Sequence, residues 1–231
     1  MIIMSNEEQQ MKRLEAFACE NKDRSISTVV IKDGVACVTD GVFCMKERLD
    51  GEFSDIVTRE DGRVIPVDRM MMLASLPDSA KKWYVLEADK KIEDDFCEQY
   101  RAERAENRAS YNNRYKHLVC PSCGDEVWWD SWNEKIVDET EPFCDVRIQS
   151  VMKPVSVRFG DEKELPVNFA YLFLVMKLYG DIEVSFGEED GMDIMFFRTK
   201  DGRMSAVLKP LRERSTEFTQ LCAKEVADAD H

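Results

Sequence analysis

The same order of elements occurs near both ends of this chain, and that recurrence constrains the fold more than any other feature. In the first copy, Met11, Leu14, Phe17 and Ala18 recur at helical spacing over about residues 7–22, with Lys12, Arg13, Glu15 and Glu20 on the other sides. A β-branched run at 27–31 stops at Asp33-Gly34, a second strand is expected over 35–39, and Asp40-Gly41 turns it into a third over 42–45. In the second copy, Val155, Val157 and Phe159 alternate as a strand before Gly160-Asp161. A buried helix then follows over 169–178, stopped by Tyr179-Gly180-Asp181, where glycine suits a left-handed cap. Three strands are expected after it, over 182–186, 193–198 and 204–208, with a hairpin at Asp201-Gly202 and Pro210 closing the sheet. Identity between the copies is slight. The pattern predicts an α+β domain of two pseudo-repeated halves, each a helix with antiparallel strands, at 1–88 and 151–212.

The segment between the halves differs in character. Residues 63–67 read as a further strand, and Met70-Met71-Met72-Leu73 begins a short apolar helix for which core packing competes with a soft partner-binding surface. From about Asp89 to Lys116 the chain is highly charged and holds neither proline nor glycine. Ile92, Phe96, Tyr100, Tyr111 and Tyr115 give it a narrow apolar stripe, which predicts a long inserted helical arm within 89–150. Over 213–231 one more helix is expected around Phe218, Leu221 and Cys222, running into an acidic tail.

Cys120-Pro121-Ser122-Cys123-Gly124 is the sharpest local motif. Two thiolates at this spacing aim both sulfurs at one ion, as in a zinc knuckle, and Cys144 and His117 are the candidates to complete a structural zinc site. A second Cys-x-x-Cys is absent, so unliganded thiols are an equal reading, and a thioredoxin-like redox pair is the third. Trp128, Trp129 and Trp132 follow at once. They are candidates for stacking on bases or on a partner, set against a role as the small core of a zinc-ribbon-like unit. The other cysteines read mostly as reduced core thiols, because the chain is long at 231 residues, shows no export signal, and most of its cysteines sit inside apolar runs. A cytoplasmic location is therefore expected.

The residues 167–212, VNFAYLFLVMKLYGDIEVSFGEEDGMDIMFFRTKDGRMSAVLKPLR, resemble the last part of a bacterial DNA sliding clamp. Tyr171-Leu172, Gly180-Asp181 and Leu208-Lys209-Pro210-Leu211-Arg212 stand where that family carries its helical Tyr-Leu pair, its Gly-Asp turn and its proline-containing close. The front copy, VVIKDGVACVTDGVFCMKERL, is similar to the clamp's strand-turn-strand with its Thr-Asp-Gly turn, here Thr39-Asp40-Gly41. The resemblance implies a DNA-clamp-like fold and a non-enzymatic, DNA-associated or replication-related role. A clamp ring holds six such domains and this chain has material for one, so self-association would be needed to encircle DNA.

In that role Lys12, Arg13, Lys22, Arg24 and Lys177 are the candidate phosphate contacts. A net charge of −14 argues against a general nucleic-acid coat, and acidic neighbours dilute the strip. The alternative is a protein–protein adaptor or oligomeric scaffold on the same fold, with the arm and the tryptophans as its contact surface. An enzyme is disfavoured. The chain has no phosphate-cradling glycine loop, no G-x-S-x-G and no His-Glu-x-x-His, and its two histidines are His117 and His231.

Overall fold

The computed structural model describes residues 6–17, 29–51, 53–56, 67–76, 82–87, 89–119, 124, 126–137, 140, 143, 145–189, 191–212 and 218–226. It divides into two compact units, one of residues 1–89 with 153–231 and one of residues 90–152.

In the first unit the chain runs through α1 (Asn6–Glu15), β1 (Val30–Lys32), β2 (Val35–Thr39), β3 (Phe43–Arg48), α2 (Val67–Leu73) and β4 (Tyr84–Leu86). The second unit holds α3 (Lys90–Arg114), β5 (Tyr115–Val119), β6 (Glu126–Asp130), β7 (Lys135–Val137) and a 3-10 turn at Ile148–Ser150. The chain then returns through β8 (Pro154–Phe159), β9 (Lys163–Asn168), α4 (Phe169–Tyr179), β10 (Ile182–Glu189), β11 (Met192–Thr199), β12 (Met204–Leu208) and β13 (Thr219–Glu225).

Ten strands of the first unit form one sheet in the order β1-β2-β3-β12-β11-β10-β4-β13-β8-β9. The expected halves therefore meet strand to strand. β3, last of the front copy, pairs antiparallel with β12, last of the rear copy, with Met45 opposite Ala206 and Phe43 opposite Leu208. From that seam the order reads outward as β3-β2-β1 on one side and β12-β11-β10 on the other.

Local chemistry sets the hairpins. Asp33 (φ 52°) and Gly34 (φ 72°) both take positive φ, as a two-residue turn matched to strand twist requires. At the next corner the Asp40 carboxylate accepts from the N–H groups of Val42 and Phe43 at 2.9 and 2.8 Å, closing the turn into β3. In α4 the Asn168 side chain accepts from Ala170 N–H at 3.3 Å, and Gly180, at φ 71°, donates its N–H to the Met176 carbonyl at 2.9 Å.

Side-chain alternation sends the two faces of the sheet to different partners. Phe43, Met45 and Glu47 of β3 point to the face that carries α1 and α4. There the rings of Phe17, Phe43 and Tyr171 stack at centroid separations of 4.9 and 5.5 Å. Each such pair contributes about 1 kcal/mol beyond its buried area. Further along the same face Tyr84, Phe159 and Phe186 pack together. Cys44 and Lys46 point to the opposite face, where Met70 and Ala74 of the α2 segment pack on Val30, Cys37 and Cys44.

Several expectations change. The C-terminal segment expected as a helix is strand β13, parallel to β8 and antiparallel to β4, with Leu221 and Ala223 alternating inward. Of the strand expected over 63–67, residues 63–66 lie outside the described residues and Val67 begins α2. The methionine run divides: Met70 is buried, whereas Met72 is 66% exposed. β4 and β9 were not anticipated. β9 lies at the sheet edge, where Pro166 is tolerated. The long charged helix is present as α3. None of the described helices is long and apolar enough to cross a membrane.

Candidate binding surfaces

Helices α1 and α4 share one face of the ten-stranded sheet, so Lys12, Arg13 and Lys177 are the described members of the expected cationic strip. Arg13 is committed elsewhere. Its guanidinium donates to Glu47 Oε1 at 3.0 Å and lies 5.6 Å from the centre of the Tyr179 ring. Tyr179 donates its hydroxyl hydrogen to Glu47 Oε2 at 2.6 Å. Glu47 is 1% exposed, so these partners satisfy a buried carboxylate. Burial and the Glu47 charge push the Tyr179 phenol well above its usual range. Through these contacts Arg13 ties α1 to β3 and α4.

Lys12 and Lys177 are exposed, and the Lys177 ammonium lies 5.3 Å from the Phe173 ring centre. Glu8 and Glu15 are exposed on α1, four and three residues from Lys12. Lys22 and Arg24 lie outside the described residues. Among the described side chains, then, the strip reduces to two exposed lysines, Lys12 and Lys177.

The second unit is organised around Asp130. Arg114, the last residue of α3, donates to its carboxylate through Nε at 3.3 Å and Nη2 at 3.1 Å. The Asn133 amide adds 2.7 Å, and the Trp132 and Asn133 N–H groups add 3.0 and 3.3 Å. The Arg114 hydrogen bonds, helped by these donors, hold the carboxyl far below the usual carboxylate range. Arg114 also lies over two rings, 4.7 Å from the centre of Tyr115 and 4.9 Å from that of Trp132.

Antiparallel pairing of β5, β6 and β7 separates the expected aromatic residues. Trp129 aligns with Lys116 and Ile136, on one side of the small sheet. Trp128 aligns with His117 and Val137, on the other. Trp128 and Trp129 are half-buried, whereas Trp132 is 67% exposed at the β6–β7 turn. His117 Nε2 stands 3.4 Å from Glu126 Oε2, and its ring centre is 4.8 Å from that of Trp128. The other expected zinc ligands, Cys120, Cys123 and Cys144, lie outside the described residues. Among the described residues no group of three or more His, Cys, Asp or Glu is placed to hold a metal ion.

One concave site was not anticipated. A cleft of about 640 Å³ opens between α2 and the β1–β3 hairpins, lined by Lys32, Lys46, Arg48, Arg203 and the methionines Met71 and Met72. The signal was present in β3, where Lys46 and Arg48 stand two apart and so share a face.

The comparisons with known proteins come from structure. The chain is similar to bacterial DNA sliding clamps. Over 92% of its length it matches the beta chain of DNA polymerase III from Streptococcus pneumoniae TIGR4, at 14% identity and a TM-score of 0.41, covering 67% of that chain. The Pseudomonas aeruginosa sliding clamp matches over the same share at 12% identity and 0.44, covering 66% of that chain. For the Caulobacter crescentus beta subunit the values are 15% and 0.41, with 69% covered. The chain thus spans about two thirds of the length of the clamps it matches. No family model matches the sequence, and no curated protein does.

Proposed function

We propose that this chain is a non-enzymatic binding module on a clamp-like sheet, and that its contacts are made to protein rather than to duplex DNA. The observation that carries this reading is the charge on the face shared by α1 and α4. A DNA-facing surface needs cations aimed at phosphates, each release of counterions adding to affinity. Here Arg13 is held by Glu47, and the cations left exposed on that face are Lys12 and Lys177, with Glu8 and Glu15 also exposed on α1. The remaining field is that of a chain with net charge −14, which repels a polyanion. Exposed Trp132, with the half-buried Trp128 and Trp129, offers the rigid aromatic area that protein interfaces use.

A salt titration with fluorescently labelled duplex and single-stranded DNA tests the reading. No saturable binding is expected at low salt. Duplex binding that weakens with salt and is lost in Lys12→Glu/Lys177→Glu would replace it with the DNA-associated, replication-related role.

Structural zinc at Cys120, Cys123, Cys144 and His117 is a separate proposal resting on donor chemistry, two thiolates at knuckle spacing with a third thiol and an imidazole. His117 Nε2 stands 3.4 Å from Glu126 Oε2, so Nδ1 is the nitrogen that would serve the ion, with the carboxylate orienting the ring. Elemental analysis of the purified chain decides this: stoichiometric zinc, lost in Cys120→Ser, supports the site, and metal-free protein removes it.

A further inference from the structure

We infer that the cleft beside α2 is a binding site for a short acidic peptide carrying a bulky apolar side chain. Three features of the cleft lead there.

The first is alignment. Lys32 of β1 pairs with Val35 of β2, and Val35 pairs with Arg48 of β3, so the three residues form a row across adjacent strands. With strands about 4.8 Å apart, Lys32 and Arg48 flank Val35 at roughly 10 Å from each other. Lys46 stands two residues before Arg48 on the same face. Two basic residues of β3 thus stand at the edge of an apolar floor.

The second is charge compensation. Lys32 is paired with Asp68 at 2.8 Å, and Arg203 is paired with Asp50. Among the described residues the Arg48 guanidinium makes no hydrogen bond and no ion pair, and Lys46 is held by the Ser75 hydroxyl at 2.7 Å rather than by a carboxylate. Two uncompensated cations converge in a concavity of a chain whose net charge is −14. A carboxylate is the natural complement, since the planar guanidinium can take it through two parallel N–H bonds.

The third is the apolar wall. Met71 and Met72 line the cleft from α2, and Met72 is largely exposed. Methionine adapts its shape to an incoming side chain better than branched residues do. Asp33 and Asp68 line the same cleft, and they oppose a multiply charged phosphate while leaving room for a carboxylate at Lys46 and Arg48. The combination favours a carboxylate next to a bulky apolar side chain. It rests on the protein-binding reading and adds a site to the tryptophan surface, and the two fail separately: duplex binding through α1 and α4 would overturn that reading and leave this cleft untouched.

Fluorescence anisotropy on the full chain tests the site, with labelled Glu-Leu-Glu-Leu-Glu-Phe as probe and its glutamine-for-glutamate counterpart as control. The acidic probe is expected to bind saturably and to weaken as salt is raised. Lys46→Gln/Arg48→Gln is expected to weaken it by about tenfold or more, and Met72→Glu by a similar factor. Thermal melts of both variants should match the parent, because these side chains reach solvent. Absence of saturable binding, or binding indifferent to the double substitution, overturns the proposal. So does displacement of the probe by inorganic phosphate, which would mark the cleft as a phosphate site.

Discussion

Tyr179, at the last position of α4, donates a 2.6 Å hydrogen bond to Glu47 Oε2, while Arg13 of α1 holds Oε1 at 3.0 Å. One buried carboxylate thus ties a strand of the front half to helices from both halves. Removing it with Glu47→Ala leaves a buried hydroxyl and a half-buried guanidinium unpaired, and should cost about 3 kcal/mol. Tyr179→Phe should cost about 1 kcal/mol. Urea unfolding measures both, and the double variant should be less destabilised than the sum. A Glu47→Ala protein as stable as the parent would show that the tie is unimportant.

Asp40 makes a second link between the halves. One oxygen closes its own turn, and the other accepts the Tyr171 hydroxyl hydrogen at 2.5 Å. Asp40→Ala should therefore destabilise by about 2 kcal/mol and Tyr171→Phe by about 1 kcal/mol, because only the first also opens the turn. Equal losses would place all of the effect in the cross-half bond.

Cys37 and Cys44 are buried on the α2 face with their sulfurs 3.9 Å apart, whereas Cys222 is exposed. Maleimide labelling of the folded chain should modify Cys222 quickly and spare Cys37 and Cys44 until denaturant is added. The contact with Cys44 and burial both raise the Cys37 thiol. A pKa raised on folding stabilises fully below the unfolded value, near 8.5, and the contribution is lost as pH rises above it. Stability should fall above about pH 8.5, less steeply in Cys37→Ala. Rapid labelling of Cys37 at neutral pH would contradict its burial.

Asp130 carries the opposite sign. Its carboxyl is depressed chiefly by Arg114, so its contribution is present above the unfolded value near 3.9 and is lost as pH falls below it. Because the Trp132 backbone N–H donates to this carboxylate and the Trp132 ring lies beside Arg114, tryptophan fluorescence should report the loss. An acid transition is expected in the parent and should be absent in Asp130→Asn. An identical transition in both proteins would assign it to another group.

What could be read from sequence followed how local its cause was. The hairpins at Asp33-Gly34 and Asp201-Gly202 and the capped helix α4 depend on neighbours within a few residues, and they stand where the spacing placed them. β13 did not, because its partner β8 is some sixty residues away and the Phe218, Leu221 and Cys222 spacing also suits a helix. β4, three residues long, is defined only by the strands on either side of it. The same limit governed the sites. Nothing near Arg13 distinguishes it from Lys12, since the carboxylate that claims it lies 34 positions on. Lys46 and Arg48 were legible as a basic pair on one strand face, but the methionine ledge that makes a cleft of them comes from α2.

The central claim is that the two helix-and-three-strand halves join through β3 and β12 into one sheet. Cross-strand nuclear Overhauser contacts in selectively labelled protein test it most directly. The seam predicts contacts between the backbones of Met45 and Ala206 and of Phe43 and Leu208. Strong contacts within each half but none across these pairs would show that the halves fold without sharing a sheet.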